Sequence, residues 1–175
     1  TYAYEGSAHI PMILRWPGGL SAAARGTVRS EPVELRDLLP TFLDAAGVRP
    51  DPAEFDGSSL LGLVRDEPTR WRDYLDLEHS TCYWPENQWT GLTDGRMKYI
   101  YYAPTGLQEL FDLREDPAET RNLADDPAHR DELLAWRERM TQHLSERGEP
   151  YVVAGDLGLR PGPLLYGACY PQAQG

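Results

Sequence analysis

The 175-residue chain carries a formal net charge of -11, from 28 Asp and Glu against 17 Lys and Arg. That field repels phosphate backbones and anionic membrane surfaces, so nucleic acid and membranes are not expected as partners. The length suits one ordinary domain or part of a larger one, and 5 Trp with 10 Tyr supply core material despite a mean hydropathy of -0.56.

Patterned sequence is under way by Tyr2, without an initiating Met, which suggests a piece of a longer protein, and no localisation is read from it. The apolar run Ile10 to Leu14, closed by Pro17-Gly18-Gly19, predicts a strand buried on both faces. A surface loop follows from Ser21 to Ser30, with a short strand near Val28. Leu39, Phe42, Leu43 and Ala46 fall on one helical face, with Asp37 as the expected cap, Pro40 in the first turn and Gly47 as the stop. Residues 50–72 read as an exposed connection with an Asp56-Gly57 turn and a helical turn or two at Leu60 to Val64.

Four strands are expected next, forming a small antiparallel sheet: Tyr74 to His79, Trp89 to Thr93, Met97 to Tyr102 and Gln108 to Leu113. Asp94-Gly95 and Pro104-Thr105-Gly106 are its turns. Asp116-Pro117 predicts a short helical turn, and Asp126-Pro127 opens the longest helix, to about Arg147, with Leu133, Trp136, Met140 and Leu144 as its buried stripe. From Glu149 the Gly/Pro-rich chain reads as an irregular tail.

The stretch Asp73 to Tyr102 concentrates the residues suited to chemistry. His79 ends a strand beside Glu78; its imidazole suits either an anionic ester oxygen or sugar hydroxyl, or a framework bond to Glu78 or backbone. Trp84, Asn87 and Trp89 have the composition of a small-molecule pocket, with Trp89 equally suited to the sheet core. Glu5, in a charged, Gly-permitted loop, is a further substrate-cleft candidate. His9, His129 and His143 read as framework or surface groups. Acid pairs such as Asp112 with Asp116, or Asp125 with Asp126, are explained by capping, so no metal site is assigned within the chain. Cys82 and Cys169 have no ligand spacing, and the lack of a disulfide-rich pattern favours unpaired thiols over a bridge. No nucleophile elbow, phosphate loop or HExxH is present, so no catalytic residue is assigned.

The ordered segments YEGSAHIPMILRWPG, DLLPTFLDAAGV, DGSSL, EHSTCYWPENQWTGLTDGRMKYIYY and QELFDLREDPAETRNLA together resemble the C-terminal part of the sulfatase family, arylsulfatases included. The resemblance implies an α/β fold, α+β in its second half. Part of an alkaline-phosphatase-like main sheet (residues 1–72) would be followed by a small antiparallel sheet packed with a long C-terminal helix (73–148) and a tail (149–175). It implies a parent enzyme that hydrolyses sulfate esters with a formylglycine nucleophile and a divalent cation, usually calcium. There the hydrated aldehyde attacks sulfur while metal, Lys, Arg and His groups neutralise the sulfate oxygens. Neither cysteine stands in the C/S-x-P-x-R setting of the nucleophile, so that centre, the metal ligands and a catalytic Lys ahead of Tyr4-Glu5-Gly6 are expected upstream of Thr1. This chain alone is then expected to be inactive. Its expected partners are the upstream part of its own chain and, through the parent, a small sulfated substrate. Glu78 and His79 match a strand end that faces the substrate cleft in many sulfatases. A phosphate or phosphonate ester hydrolase of the same superfamily and a stand-alone carbohydrate-binding or structural module are the alternatives.

Overall fold

The computed structural model describes residues 2–49, 51–65, 67–80 and 87–162. They form two units, one drawn from the residues up to Ile10 and from Asp76 onward, the other spanning Pro11–Leu75.

In the first unit, sheet formation centres on the Asp94-Gly95 turn. The Asp94 carboxylate accepts the backbone N–H groups of Arg96 and Met97 at 2.8 and 2.7 Å. Gly95 takes φ 86°, a conformation that costs a residue without a Cβ little. That turn joins β2 (Trp89–Thr93) to β3 (Met97–Tyr102), paired antiparallel with Trp89 opposite Tyr102 and Thr93 opposite Lys98. Gly106, at φ 75°, turns β3 into the antiparallel β4 (Leu107–Asp112). With β1 (Leu75–His79) the sheet order is β1-β2-β3-β4, matching the expected small sheet.

Burial in β2 and β3 is continuous, where a half-exposed sheet would alternate. Both faces are covered. On one, Ala3 and Tyr4 pack with Leu77, Trp89, Ile100, Tyr102 and Phe111, so the leading segment 2–9 lies there; it includes the single-turn α1 (Glu5–Ala8). On the other lies α4 (Arg130–Leu144), flanked by single 3-10 turns, where Arg137 stands 5.9 Å over the Tyr101 ring. The Asp126 side chain accepts from Ala128 N–H to start it, and Trp136, Met140 and Leu144 are its buried stripe.

Two expectations differ here. Asp116-Pro117 opens a tight turn rather than a helix, because Glu119 adopts φ 52° and ends it. The stretch read as an irregular tail folds, as far as residue 162, into a hairpin of β5 (Val152–Val153) and β6 (Asp156–Leu157), turned by Ala154 and Gly155 at positive φ. The Tyr101 hydroxyl donates to the Gly158 carbonyl at 3.2 Å, and Tyr151 and Leu157 are buried.

The second unit is organised by Asp37. It closes a 3-10 turn (Leu35–Asp37) ahead of α2 (Leu38–Ala45), accepting the Glu34 N–H at 2.8 Å. Rather than capping α2, its carboxylate takes the Ser58 N–H at 2.8 Å and both arms of the Arg72 guanidinium. Leu60 N–H donates to Thr41 Oγ1, and Ser59 Oγ to Asp44. The Asp-Gly-Ser-Ser-Leu segment before α3 (Leu61–Val64) therefore docks on the polar side of α2. Within this unit that leaves the apolar face exposed, Leu39 at 56% and Phe42 at 65%. The expected strand at Ile10 to Leu14 is not formed, with Ile13 87% exposed, and Val28 stands in an open loop. A strand needs a neighbour to satisfy its backbone groups, and among the described residues neither run pairs with one.

Candidate functional site

Strand alternation sorts the sequence-derived candidates. Successive side chains point to opposite faces, so His79 shares the face of Leu77, on which the leading segment lies, and Glu78 takes the face of α4. His79 Nδ1 lies 2.9 Å from the Asn87 carbonyl oxygen, and the ring stacks on Trp89 with centroids 5.8 Å apart and planes 12° apart. A carbonyl only accepts, so Nδ1 is the donor and Nε2 is the ring atom left for other work. Trp89 is therefore both a core residue of the sheet and the platform for His79. Glu78 pairs instead with Arg147 beyond α4 at 2.7 Å. Trp84, Cys82 and Cys169 lie outside the described residues.

Glu5 sits at the other end of the same face. Its carboxylate meets Lys98 Nζ through one oxygen and His9 Nδ1, at 2.8 Å, through the other. Lys98, opposite Thr93, is fully buried; its ammonium also donates to the Ala3 carbonyl at 3.0 Å and to Glu119 at 2.8 Å. The second Glu119 oxygen accepts the Glu5 backbone N–H. Since Trp89 pairs with Tyr102 and Thr93 with Lys98, the two clusters are about 13 Å apart along the ladder at ~3.3 Å per residue.

Between them the Tyr4 and Tyr102 hydroxyls converge on Glu109, at 3.3 and 3.1 Å. Burial pushes the Tyr102 phenol well above its ordinary value, and its bond with Tyr4 and the Glu109 charge add to that. Both tyrosines thus stay donors and Glu109 the acceptor. The Tyr4 ring stands edge-on to Phe111 at 6.0 Å.

Lys98, Glu109 and Glu119 are not among the site candidates that the sequence offers. The signal for Lys98 is a charge inside the strand run MKYIYY, where periodicity assigns burial; Glu119, held at positive φ without being a glycine, leaves no such trace.

The expected capping roles of the acid pairs account for their contacts. Asp112 accepts the Arg114 and Glu115 N–H groups and pairs with Arg96, and Asp116 accepts those of Thr120 and Arg121. Among the described residues no group of three or more His, Cys, Asp or Glu is placed to hold a metal ion, so these residues do not fit the cation implied by the family resemblance.

Residues 1–146 match the family model described as "N-sulphoglucosamine sulphohydrolase, C-terminal". An arylsulfatase of Clostridium perfringens is 34% identical over 155 residues, 88% of this chain and 31% of that protein. A choline-sulfatase of Rhizobium meliloti is 31% identical over 149 residues, 80% of this chain and 27% of its own length. Among solved structures, a 2-O GAG sulfatase aligns at TM-score 0.57 with 32% identity, covering 66% of this chain and 25% of that one. A phosphonate monoester hydrolase from Silicibacter pomeroyi aligns at TM-score 0.54 with 30% identity, over 66% of this chain and 26% of its own. The chain thus spans about a third or less of the length of these relatives. With the small sheet, the long helix and the family match in one order, the chain belongs to the sulfatase family and carries its C-terminal portion.

Proposed function

We propose that the chain completes a sulfuric ester hydrolase whose reacting centre is built by residues ahead of Thr1, and that the leading-segment face of its sheet borders the substrate cleft. The observation carrying this is the placement of His79, on its Trp89 platform, on the same sheet face as the segment 2–9. With Nδ1 committed to the Asn87 carbonyl, Nε2 in the neutral ring accepts from a substrate hydroxyl, and in the charged ring donates to a sulfate oxygen. Glu5 fixes the segment rather than touching substrate. The formylglycine and the divalent cation belong to the upstream part in this proposal; when bound, the cation would supply charge for the sulfate oxygens, and no group described here is assigned to hold it. The apolar side of α2 exposed within its unit supports the same view, since a partner layer from the upstream chain would cover Leu39 and Phe42.

The test compares the full-length parent with the 175-residue chain on an aryl sulfate, with and without calcium. Turnover is expected from the parent alone, and turnover by the isolated chain would refute the proposal. Phosphonate ester hydrolysis is the second reading, favoured by the match to the Silicibacter pomeroyi enzyme. An aryl phosphonate assayed beside the aryl sulfate decides between them.

A further inference from the structure

Resting on that function, we infer that Lys98 and Glu119 are positioning residues, a buried clamp that sets where the leading segment, and the reacting groups joined to it, stand against the sheet. An ammonium has three donors. All three of Lys98 go to acceptors within the clamp: the Ala3 carbonyl, Glu5 and Glu119. Glu119 closes the ring by accepting the Glu5 N–H. Glu5 carries the hold onward to His9, closing α1.

Cohesion alone does not call for this arrangement. The same face already holds Trp89, Ile100 and Phe111 against Ala3, and an apolar residue at position 98 would extend that cluster. A buried ion pair is commonly no more stabilising than apolar residues of its volume. Glu119 in addition holds a left-handed backbone at φ 52°, costly for a residue with a Cβ. A directional, strained contact replaces a non-directional one, and direction is what fixes a segment in register.

The experiment uses the full-length parent with the paired substitution Lys98→Met and Glu119→Gln, which removes both charges together. A second variant, Glu119→Gly, suits the positive φ and removes the whole side chain, carboxylate included. Aryl sulfate kinetics, Tm and hydrogen exchange of the peptide covering residues 2–9 are read in parallel. Expected for both variants are faster exchange at 2–9 and kcat lower by about tenfold or more with KM changed less than about threefold; Tm stays within a few degrees of the parent for the paired variant and falls further for Glu119→Gly, which leaves the buried Lys98 charge one partner short. Unchanged kcat and unchanged exchange with Tm intact would overturn the clamp. A Tm loss that accounts for the whole activity loss would overturn it too, by making the contact merely structural. If the parent hydrolyses no sulfate ester, the functional proposal fails while the exchange readout still decides whether the clamp holds the segment.

Discussion

Replacing Asp37 with Asn tests whether the second unit hangs on one carboxylate. Asp37 is fully buried and accepts from Glu34 N–H, Ser58 N–H and both arms of Arg72. An amide keeps one acceptor oxygen and turns an NH2 toward the remaining donors. About two charge-assisted bonds are lost at ~1.5–3 kcal/mol each, and among the acids of the described residues Arg72 keeps only its 3.6 Å contact with Glu34. A cost of about 3–5 kcal/mol at pH 7 is therefore expected, the range for breaking a buried pair from one side. The pH dependence supplies an independent check. Burial works to raise the Asp37 carboxyl, but the Arg72 guanidinium and the Ser58 and Glu34 N–H groups outweigh it and hold it below the ordinary carboxylate value. With the folded value depressed, the stabilisation is complete above the unfolded value of about 3.9 and is lost as pH falls through the folded one. The gap between parent and variant should be full at about pH 5 to 7, above the unfolded value, and narrow below about pH 4. Urea titrations read by pulsed hydrogen exchange of peptides covering 34–64 follow this unit separately from the sheet. A gap under about 1 kcal/mol at neutral pH, or one that widens in acid, would refute the reasoning.

Trp136→Ala should cost about 3–5 kcal/mol through the cavity under α4, while Leu134→Ser on its exposed side stays within about 0.5 kcal/mol, both read from urea midpoints. Gly95→Ala meets no atom within 4 Å and should cost only the positive-φ penalty, about 1 kcal/mol. Gly57→Ala places its Cβ 2.1 Å from the Arg36 carbonyl oxygen and should cost clearly more, so equal Tm shifts would count against the packing around Asp37. In the parent enzyme, His79→Ala should raise KM or lower kcat for an aryl sulfate by more than its Tm loss explains. A proportional loss of both would assign His79 to the framework alone.

What the sequence announced were features written in local chemistry. The Asp94-Gly95 turn, the four strands and the cap at Asp126 each follow from neighbours a few residues apart, and the structure has them where expected. Long-range partners decided the rest. The apolar residues of α2 marked a helix correctly, but the side that packs within the unit was chosen by N–H groups of Ser58 and Leu60, which found acceptors in Asp37 and Thr41. Trp71 and Arg72, read as an exposed connection, return to the Pro32 carbonyl and Asp37, 35 or more residues back. At the candidate site, His79, Asn87 and Trp89 were legible because they stand in one loop-and-strand stretch. Lys98 and Glu119 were not, since their meaning lies in a leading segment that strand periodicity cannot connect to them.

The bond between the Ala3 carbonyl and Lys98 joins residues 95 positions apart. During synthesis at about 5–20 residues per second, the first of these emerges on the order of 5–20 s before its ammonium partner exists. Throughout that wait Tyr4 has no sheet beneath it. Ribosome-bound nascent chains should therefore keep residues 2–9 open to protease until β3 has left the exit tunnel, which makes this interval the one in which a chaperone would have something to hold.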